Sequence, residues 1–247
     1  MKGVLYISHG SRVASARHDA VHYIERVKAR VDVPLQEVCF LELAEPTIKQ
    51  GIQRLVERGA TDIAVMPVFL LEARHAKKDV PELLEAAMKP YPHVRIQYGK
   101  PLGGHHGMSQ LVVERILESI SSDELLHTTY ILVGRGSSDP DALATLNSIA
   151  NEAKERLGVP CIHQCYLAAA TPTFKEGIAG ALESTNGPIL VIPYLMFSGT
   201  LLHEIDEYIG EWQQLRRTEP LNGHPQLEAV LEQRVQETLE QFEEAVM

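Results

Sequence analysis

The stretch Gly3-Val-Leu-Tyr-Ile-Ser-His-Gly-Ser-Arg12 predicts the fold class and supplies the first candidate functional residue. Its apolar first half is typical of a buried strand, and a long helical pattern begins just after it, near Val13. In an open parallel sheet, ligands collect where strands end and helices begin, because backbone N–H groups and the helix dipole face that crevice. His9 falls at this point, where an imidazole can bind a metal or move a proton. The alternative is that His9 only caps or packs a loop.

The hydrophobic pattern continues as a regular alternation of strands and helices along the 247 residues. Such alternation predicts an α/β fold in which parallel sheets are covered by helices on both faces. Strands are predicted near 2–8, 35–41, 62–69, 93–99, 129–134, 160–167 and 188–195, and helices near 13–31, 46–58, 77–89, 107–121, 140–157, 172–184, 201–215 and 225–245. Pro46 and Pro172 are expected in the first turns of their helices, and Gly59 at a helix C-terminus.

An internal repeat divides the chain into two domains. FLELAEPTIKQGI at 40–52 aligns with YLAAATPTFKEGI at 166–178 at an offset of 126, and 11 of the 33 positions from residue 40 onward are identical without a gap. We therefore predict two duplicated α/β domains, 1–122 and 123–247, each with a parallel four-stranded sheet and with a cleft between them. The second copy is seven residues shorter between its Pro-Leu-x-Gly-His landmarks, so its fourth strand is expected to be reduced or missing. The final helix is a candidate to pack back on the first domain.

Composition and charge restrict the class of function. The net charge of −10, with no basic stripe to offset it, argues against a nucleic-acid partner. The sequence shows neither a signal peptide nor a long apolar segment, so we expect a cytoplasmic protein with no membrane partner. Three cysteines without a CxxC pair indicate reduced thiols. Cys161 and Cys165 flank His163 and resemble a metal cluster, although two small core residues on one strand are the expected alternative.

The two copies differ at polar positions that follow predicted strands. Three residues of the first copy have a different type in the second: His9 aligns with Arg135, Glu42 with Ala168, and His75 with Leu201. Since the carboxyl ends of parallel strands share one rim of a sheet, the three side chains can converge. Two imidazoles and a carboxylate suit a divalent ion such as Fe(II), Co(II), Ni(II) or Zn(II) and leave coordination positions open. A metal or acid–base site is predicted, with three unconnected loop residues as the alternative.

Two further features of these loops bear on the site. Glu45 competes with Glu42 as the carboxylate, but it directly precedes Pro46 and suits a helix N-terminus. Basic and hydroxyl side chains near the strand ends form a candidate anion-binding set: Arg12, Arg74, Lys77, Lys78, Arg135, Ser137, Ser138 and His203. Cationic groups at the start of a helix oppose its dipole, which favours an anionic ligand. A solvated helix start is the simpler interpretation of Lys77-Lys78.

Taken together, these residues resemble those of the class II chelatases of tetrapyrrole biosynthesis, specifically the long, two-domain sirohydrochlorin chelatases. The resemblance covers almost the whole chain and includes the duplicated domain. It is carried by Ser8-His9-Gly10-Ser11, by Phe40-Leu41-Glu42 before Pro46, by Pro67-Val68-Phe69-Leu70 leading to His75 and Asp79, and by two Pro-Leu-x-Gly-His segments. It implies two chelatase-type α/β domains around a cleft and insertion of a divalent metal into sirohydrochlorin. His9, Glu42 and His75 match the family's metal-binding positions, with His9 and Glu42 also catalytic.

The resemblance also implies the substrates and the alternatives. The substrates would be the octacarboxylate sirohydrochlorin and Fe(II), or alternatively Co(II) or Ni(II), with no tightly bound cofactor. The basic residues would offset repulsion between this substrate and a protein of net charge −10. We expect a sirohydrochlorin ferrochelatase of sirohaem biosynthesis, in which His9 takes a pyrrole proton and Glu42 orients it, shares the metal or relays the proton. The alternatives are a sirohydrochlorin cobaltochelatase of the anaerobic cobalamin pathway and a non-catalytic bilobal metal- or tetrapyrrole-binding protein. A monomer is expected, because both domains lie in one chain.

Overall fold

Two parallel four-stranded sheets flanked by helices form the framework of the computed structural model, which describes residues 1–72 and 75–244. The first half contains β1 (Lys2–Ser8), α1 (Ala14–Lys28), β2 (Leu35–Phe40), α2 (Ile48–Glu57), β3 (Asp62–Pro67), a π-helical turn (His75–Asp79), α3 (Val80–Met88), β4 (Arg95–Tyr98) and α4 (Gly107–Leu117). The second half contains β5 (Thr129–Gly134), α5 (Pro140–Leu157), β6 (Ile162–Tyr166), α6 (Phe174–Ser184), β7 (Ile189–Tyr194), α7 (Thr200–Ile209), β8 (Leu215–Arg217) and α8 (Pro225–Glu244). The predicted strands and helices are present, with small shifts at their ends. None of the helices described is long and apolar enough to cross a bilayer.

The two sheets have the same topology, which confirms the predicted α/β fold. Their strand orders are β2-β1-β3-β4 and β6-β5-β7-β8, and every pairing is parallel. The fourth strand of the second sheet, β8, is present with three residues, so it is reduced but not missing. The helix predicted over 201–215 ends six residues early, because α7 stops at Ile209 and Gly210 forms its C-cap, and β8 begins at Leu215.

The central strands of each sheet are buried on both faces, and helices pack on the sheets through clusters of apolar side chains. In the first sheet Leu5 and Val65 pack with Ile52 and Leu55 of α2, and all four side chains are fully buried. In the second sheet the strands β5 and β7 pack in the same way against α6 and α7. Burial of each such side chain stabilises the fold by roughly 1.5–3 kcal/mol, so these clusters hold the helices on the sheets.

The packing units differ from the sequence repeats at their last helices. Unit 1 contains Met1–His105 and the chain from Glu228, whereas unit 2 contains His106–Leu227. The boundary between packing units therefore lies before α4. In unit 2, the hydroxyl of Ser109 on α4 donates to Glu152 of α5 at 2.9 Å. In unit 1, Arg234 of α8 donates to the Pro101 carbonyl at 3.1 Å.

The helices α2 and α6 begin with the same capping box. The Thr47 side chain accepts a hydrogen bond from the Gln50 N–H, and the Gln50 side chain accepts one from the Thr47 N–H. Thr173 and Glu176 repeat this arrangement at α6. The prolines therefore precede the N-caps, and the expectation that Pro46 and Pro172 lie in the first helical turns is wrong. The reason is tertiary: the carbonyl of each proline accepts a backbone hydrogen bond at the end of the second strand of its own sheet.

A glycine is required in the turn after the first strand of each unit. Gly10 has a φ of 91°, and a Cβ there would lie 1.8 Å from the Glu42 carbonyl oxygen. Gly136 has a φ of 90°, and its Cβ would lie 1.7 Å from the Ala168 carbonyl oxygen. The predicted C-terminal glycine of α2 is confirmed as well, since Gly59 follows the C-cap with a φ of 91°.

Replacing Gly10 by alanine is expected to destabilise the protein by more than about 1 kcal/mol, because left-handed strain alone costs roughly 1–3 kcal/mol and the clash with Glu42 adds to it. Urea denaturation followed by circular dichroism measures the change. The matched control is Gly180→Ala within α6, where a Cβ meets nothing within 4 Å. This control is expected to stabilise the protein by about 0.5–1 kcal/mol. If Gly10→Ala is as stable as the unmodified protein, the claim that position 10 requires a glycine is contradicted.

Candidate active site at the carboxyl edge of the first sheet

Backbone hydrogen bonds continue past the strand ends of unit 1 and hold the loops in register. The Glu42 N–H donates to the His9 carbonyl at 3.1 Å, and the Val68 N–H donates to the Ile7 carbonyl at 2.8 Å. The turn after β1 is therefore fixed between the loops that follow β2 and β3, its two neighbours in the sheet. This is the edge at which open α/β sheets bind ligands.

The structure brings the predicted trio together at this edge. The His9 Nδ1 lies 3.5 Å from the Glu42 Oε1. The rings of His9 and His75 meet edge to face, with centroids 4.7 Å apart and 63° between their planes. The exposed fractions of the His9, Glu42 and His75 side chains are 35%, 49% and 38%, so a small ligand can reach all three. The alternative of three unconnected loop residues does not describe this arrangement.

The trio is not arranged as a closed metal cage. Within residues 1–72 and 75–244, no three His, Cys, Asp or Glu side chains stand close enough to hold a metal ion in their present conformations. Shared coordination by His9, Glu42 and His75 therefore requires rotation about side-chain torsions, which partly exposed residues can make between staggered rotamers.

Asp79 orients the His75 ring through a contact at Nδ1. The His75 Nδ1 lies 2.9 Å from the Asp79 Oδ2, and the two residues begin and end the π-helical turn. A carboxylate that accepts a hydrogen bond from Nδ1 fixes the ring and leaves Nε2 for a metal. Single π-helical turns are frequent at functional sites. In the sequence, Asp79 is marked only by the resemblance and by its His-x3-Asp spacing from His75.

A partly buried tyrosine fixes the same π-helical turn. The Tyr98 hydroxyl donates to the Ala76 carbonyl at 2.9 Å. Burial, and to a smaller extent the Glu72 carboxylate, raise the pKa of Tyr98 well above its usual value, so the hydroxyl remains a donor. This anchor holds the residue next to His75 against the last strand of the first sheet.

Unit 2 has the same backbone hydrogen bond at the corresponding edge, but its side chains there are different. The Ala168 N–H donates to the Arg135 carbonyl at 2.9 Å, as Glu42 does to His9. Neither side chain of this pair can act as a base or a metal ligand in the way that an imidazole and a carboxylate do. His9 and Glu42 are therefore not needed to build the turn.

The predicted anion-binding residues of unit 1 surround the π-helical turn and the His9 turn. Arg12, Lys77 and Lys78 are exposed, and the Lys78 Nζ lies 3.9 Å from the Glu82 carboxylate. Arg74 falls outside the described residues. These cations thus lie in the two segments that carry His9 and His75.

The predicted residues of unit 2 lie after β5 and on α7. Arg135 and Ser138 are exposed. The Ser137 hydroxyl accepts from the Asp139 N–H at 3.0 Å, so it already shapes the turn into α5. His203 lies 3.3 Å from the Glu207 carboxylate, one helical turn away on the surface of α7.

The cysteines of unit 2 do not form a metal cluster with His163. Cys165 is buried in the core, as expected, and burial raises its pKa to about 12. Cys161 is exposed and precedes β6, so the expectation of two core residues on one strand is wrong for this position. Its Sγ lies 3.8 Å from the His163 Nδ1.

Two α/β units with the same sheet topology define a two-domain α/β protein, and a histidine–glutamate–histidine set lies on one sheet edge of the first unit. The CbiX family matches residues 3–119 and 129–238, and the chain belongs to this family.

Named relatives extend this result. The chain is 46% identical over 211 residues to a sirohydrochlorin ferrochelatase of Priestia megaterium, covering 85% of this chain and 79% of the relative. SirB from Bacillus subtilis with Fe3+ is 37% identical with a TM-score of 0.89, covering 96% of this chain and 95% of that one. SirB from Bacillus subtilis subspecies spizizenii in complex with cobalt is 35% identical with a TM-score of 0.84, covering 97% and 95%.

Asp79→Asn is expected to weaken metal binding by roughly 10–100-fold, because loss of an outer-shell carboxylate removes the group that orients the ligating imidazole. Titration of the full chain with Co(II), followed by visible absorption, measures the dissociation constant. The control is Glu82→Gln, which removes an exposed carboxylate three residues further along the chain. Equal affinities of the two variants would show that Asp79 has no orienting role.

Proposed function

We propose that this protein acts as a sirohydrochlorin ferrochelatase, inserting Fe(II) into sirohydrochlorin with release of two protons in sirohaem biosynthesis. The observation that carries the proposal is the meeting of His9, Glu42 and His75 at one edge of the first sheet. Membership of the CbiX family and the name of the Priestia megaterium relative support it.

The metal is a substrate and must be held loosely. Neutral imidazoles and a carboxylate bind Fe(II) or Co(II), and three protein ligands leave positions for the incoming pyrrole nitrogens. His9, Glu42 and His75 are the proposed ligands, and Asp79 sets the orientation of His75. Partial exposure of the trio gives both the ion and the macrocycle access to the same edge.

Metal insertion also requires removal of two pyrrole protons. We assign removal of one of these protons to His9, since an imidazole accepts a proton at neutral pH and His9 lies against both other residues of the trio. The second proton passes to solvent water, which reaches this partly exposed edge. A carboxylate 3.5 Å from the His9 Nδ1 stabilises the imidazolium that forms, which supports an orienting role for Glu42. Sharing of the metal or relay of the proton by Glu42 are the alternatives.

Iron is the proposed metal, and cobalt is the alternative. The relative that is 46% identical is named a ferrochelatase, whereas one SirB structure contains Fe3+ and another cobalt. Nitrogen and oxygen ligands bind both ions, so the donor atoms do not distinguish iron from cobalt. We also propose that the protein works as a monomer in the cytoplasm, supported by the presence of both repeats in one chain and by three cysteines, all in the described part, that form no disulfide.

Alanine at His9, Glu42 or His75 is expected to abolish efficient insertion, with roughly 10²–10⁴-fold slower turnover for His9→Ala if it is the general base. The assay is the absorbance change when sirohydrochlorin and Fe(II) are mixed anaerobically with catalytic amounts of protein. Glu45→Gln, an exposed carboxylate in the same loop as Glu42, and His127→Ala, an exposed histidine of unit 2, are the controls.

Two outcomes of this assay would contradict the proposal. Turnover of all three alanine variants at the rate of the unmodified protein would remove the trio from the reaction. A single stoichiometric change in absorbance, without multiple turnovers, would instead support the alternative of a metal- or tetrapyrrole-binding protein.

The exposed cations of unit 1 are proposed to hold substrate carboxylates. In a protein of net charge −10, Arg12, Lys77 and Lys78 would supply the local positive field that an octacarboxylate needs. Arg74, Arg135, Ser138 and His203 remain sequence-based proposals for the same task. Ser137 is a weaker candidate, because its hydroxyl already accepts a backbone hydrogen bond.

Reversing the charge of Lys77 and Lys78 together to glutamate is expected to weaken sirohydrochlorin binding at low salt. The deficit should shrink as ionic strength rises, since salt screens exposed charges. Fluorescence titration at several salt concentrations provides the measurement. Lys89→Glu, at the opposite end of α3, changes an exposed lysine to the same residue and serves as the control. Binding of the double variant that equals that of Lys89→Glu would remove the lysines from the substrate site.

A further inference from the structure

A second pair of histidines lies on the exposed face of α1, which begins just after the His9 turn. His18 and His22 are four residues apart, with ring centroids 3.9 Å apart and 33° between the ring planes. The His18 side chain is 67% exposed, and His22 is also exposed. Neither ring is needed to fill the apolar core of unit 1.

From this geometry we propose a second metal site, at which His18 and His22 together bind one divalent transition-metal ion. Residues four apart on a helix share one face, and their Cβ atoms are about 5–6 Å apart, which lets two imidazoles reach a common ion. A His-x3-His pair on a helix is the ligand spacing that helical zinc sites use. Imidazole suits Cu(II), Ni(II), Co(II) and Zn(II), and water fills the remaining positions at an exposed site.

The charges around this pair favour a cation. The Asp19 carboxylate lies 4.0 Å from the His18 Nδ1. The nearest basic side chains of α1 are directed to other partners: Arg17 donates to the Ser11 carbonyl, and Arg26 to Glu228. The net charge of −10 adds long-range attraction for a divalent ion.

The pair is separate from the trio that the proposed function uses. Along the helix axis, His18 and His22 lie roughly 6 and 12 Å beyond Ala14, the first residue of α1. Their ligation does not involve His9, Glu42 or His75, so the inference stands whether or not the protein is a chelatase. The chain would then bind two metal ions, one of them held by only two protein ligands.

Metal titration of the full chain tests this site in two backgrounds. In His9→Ala/His75→Ala protein, Cu(II) is expected to bind with one remaining equivalent and with an electron paramagnetic resonance spectrum of two nitrogen ligands. Adding His22→Ala or His18→Ala should weaken that binding more than tenfold. Loss of an outer-shell partner already lowers metal affinity by roughly tenfold or more, and loss of a direct ligand lowers it further. Combining both should cost little more, because one imidazole alone does not chelate. His93→Ala, an exposed histidine of unit 1, is the matched control.

Titration of protein that retains His9 and His75 tests the same site without the His9→Ala and His75→Ala substitutions. It should give two equivalents of Cu(II), and His22→Ala should lose one of them. Binding should weaken as the pH is lowered, because protons compete with the metal for the imidazole nitrogens. Unchanged stoichiometry and affinity in His18→Ala/His22→Ala would overturn the proposal.

Activity separates this inference from the proposed function. The variant His18→Ala/His22→Ala is expected to insert Fe(II) at the unmodified rate when the metal is saturating. A normal rate together with a lost equivalent of Cu(II) supports a second site. Loss of insertion without loss of Cu(II) binding would contradict it.

Discussion

The backbone hydrogen bond from Glu42 to the carbonyl of His9 is the contact on which the candidate site depends. It extends the parallel pairing of β1 and β2 beyond the strands, so that an imidazole and a carboxylate leave the sheet side by side. Gly10 makes this approach possible, because any side chain there would meet the Glu42 carbonyl. Pairing of β1 with β3 on its other side brings the loop to His75 to the same edge. The pairing of parallel strands therefore brings together residues that are far apart in sequence.

Comparison of the two units distinguishes the features that build the fold from the side chains of the candidate site. Both units keep the glycine with positive φ, the strand-end hydrogen bond and the capping box, so these features belong to the framework. The side chains at positions 9 and 42 differ from those at 135 and 168, since the strand-end hydrogen bond joins backbone atoms and does not depend on these side chains. One fold thus carries a histidine–glutamate–histidine edge on unit 1 and an edge of another composition on unit 2.

Much of the fold could be predicted from the sequence because the signals are local or repeated. Alternating apolar segments gave the strands and helices, and the offset of 126 gave the duplication. The trio could be predicted because each member follows a strand in a parallel sheet and differs from its counterpart. The orientation of His75 by Asp79 was missed, since the His-x3-Asp spacing does not by itself show that the two side chains meet in a π-helical turn. The pair His18 and His22 was visible as a spacing, but only the structure shows that the two rings stack on an exposed face.

The remaining differences arise from packing between distant segments. The strand β8 has only three residues, too few for a periodic pattern. Assignment of α4 to unit 2, and of most of α8 to unit 1, depends on contacts such as that of Arg234 with Pro101, which no local pattern encodes. The position of Pro46 outside its helix likewise depends on a bond from its carbonyl to a strand.

Location of the bound metal tests the central claim most directly. Anomalous X-ray diffraction from crystals of the full chain loaded with Co(II) should place an ion at the carboxyl edge of the first sheet, about 2.0–2.2 Å from ligand atoms of His9, Glu42 and His75. A fully loaded crystal in which cobalt contacts none of these three side chains would contradict the account.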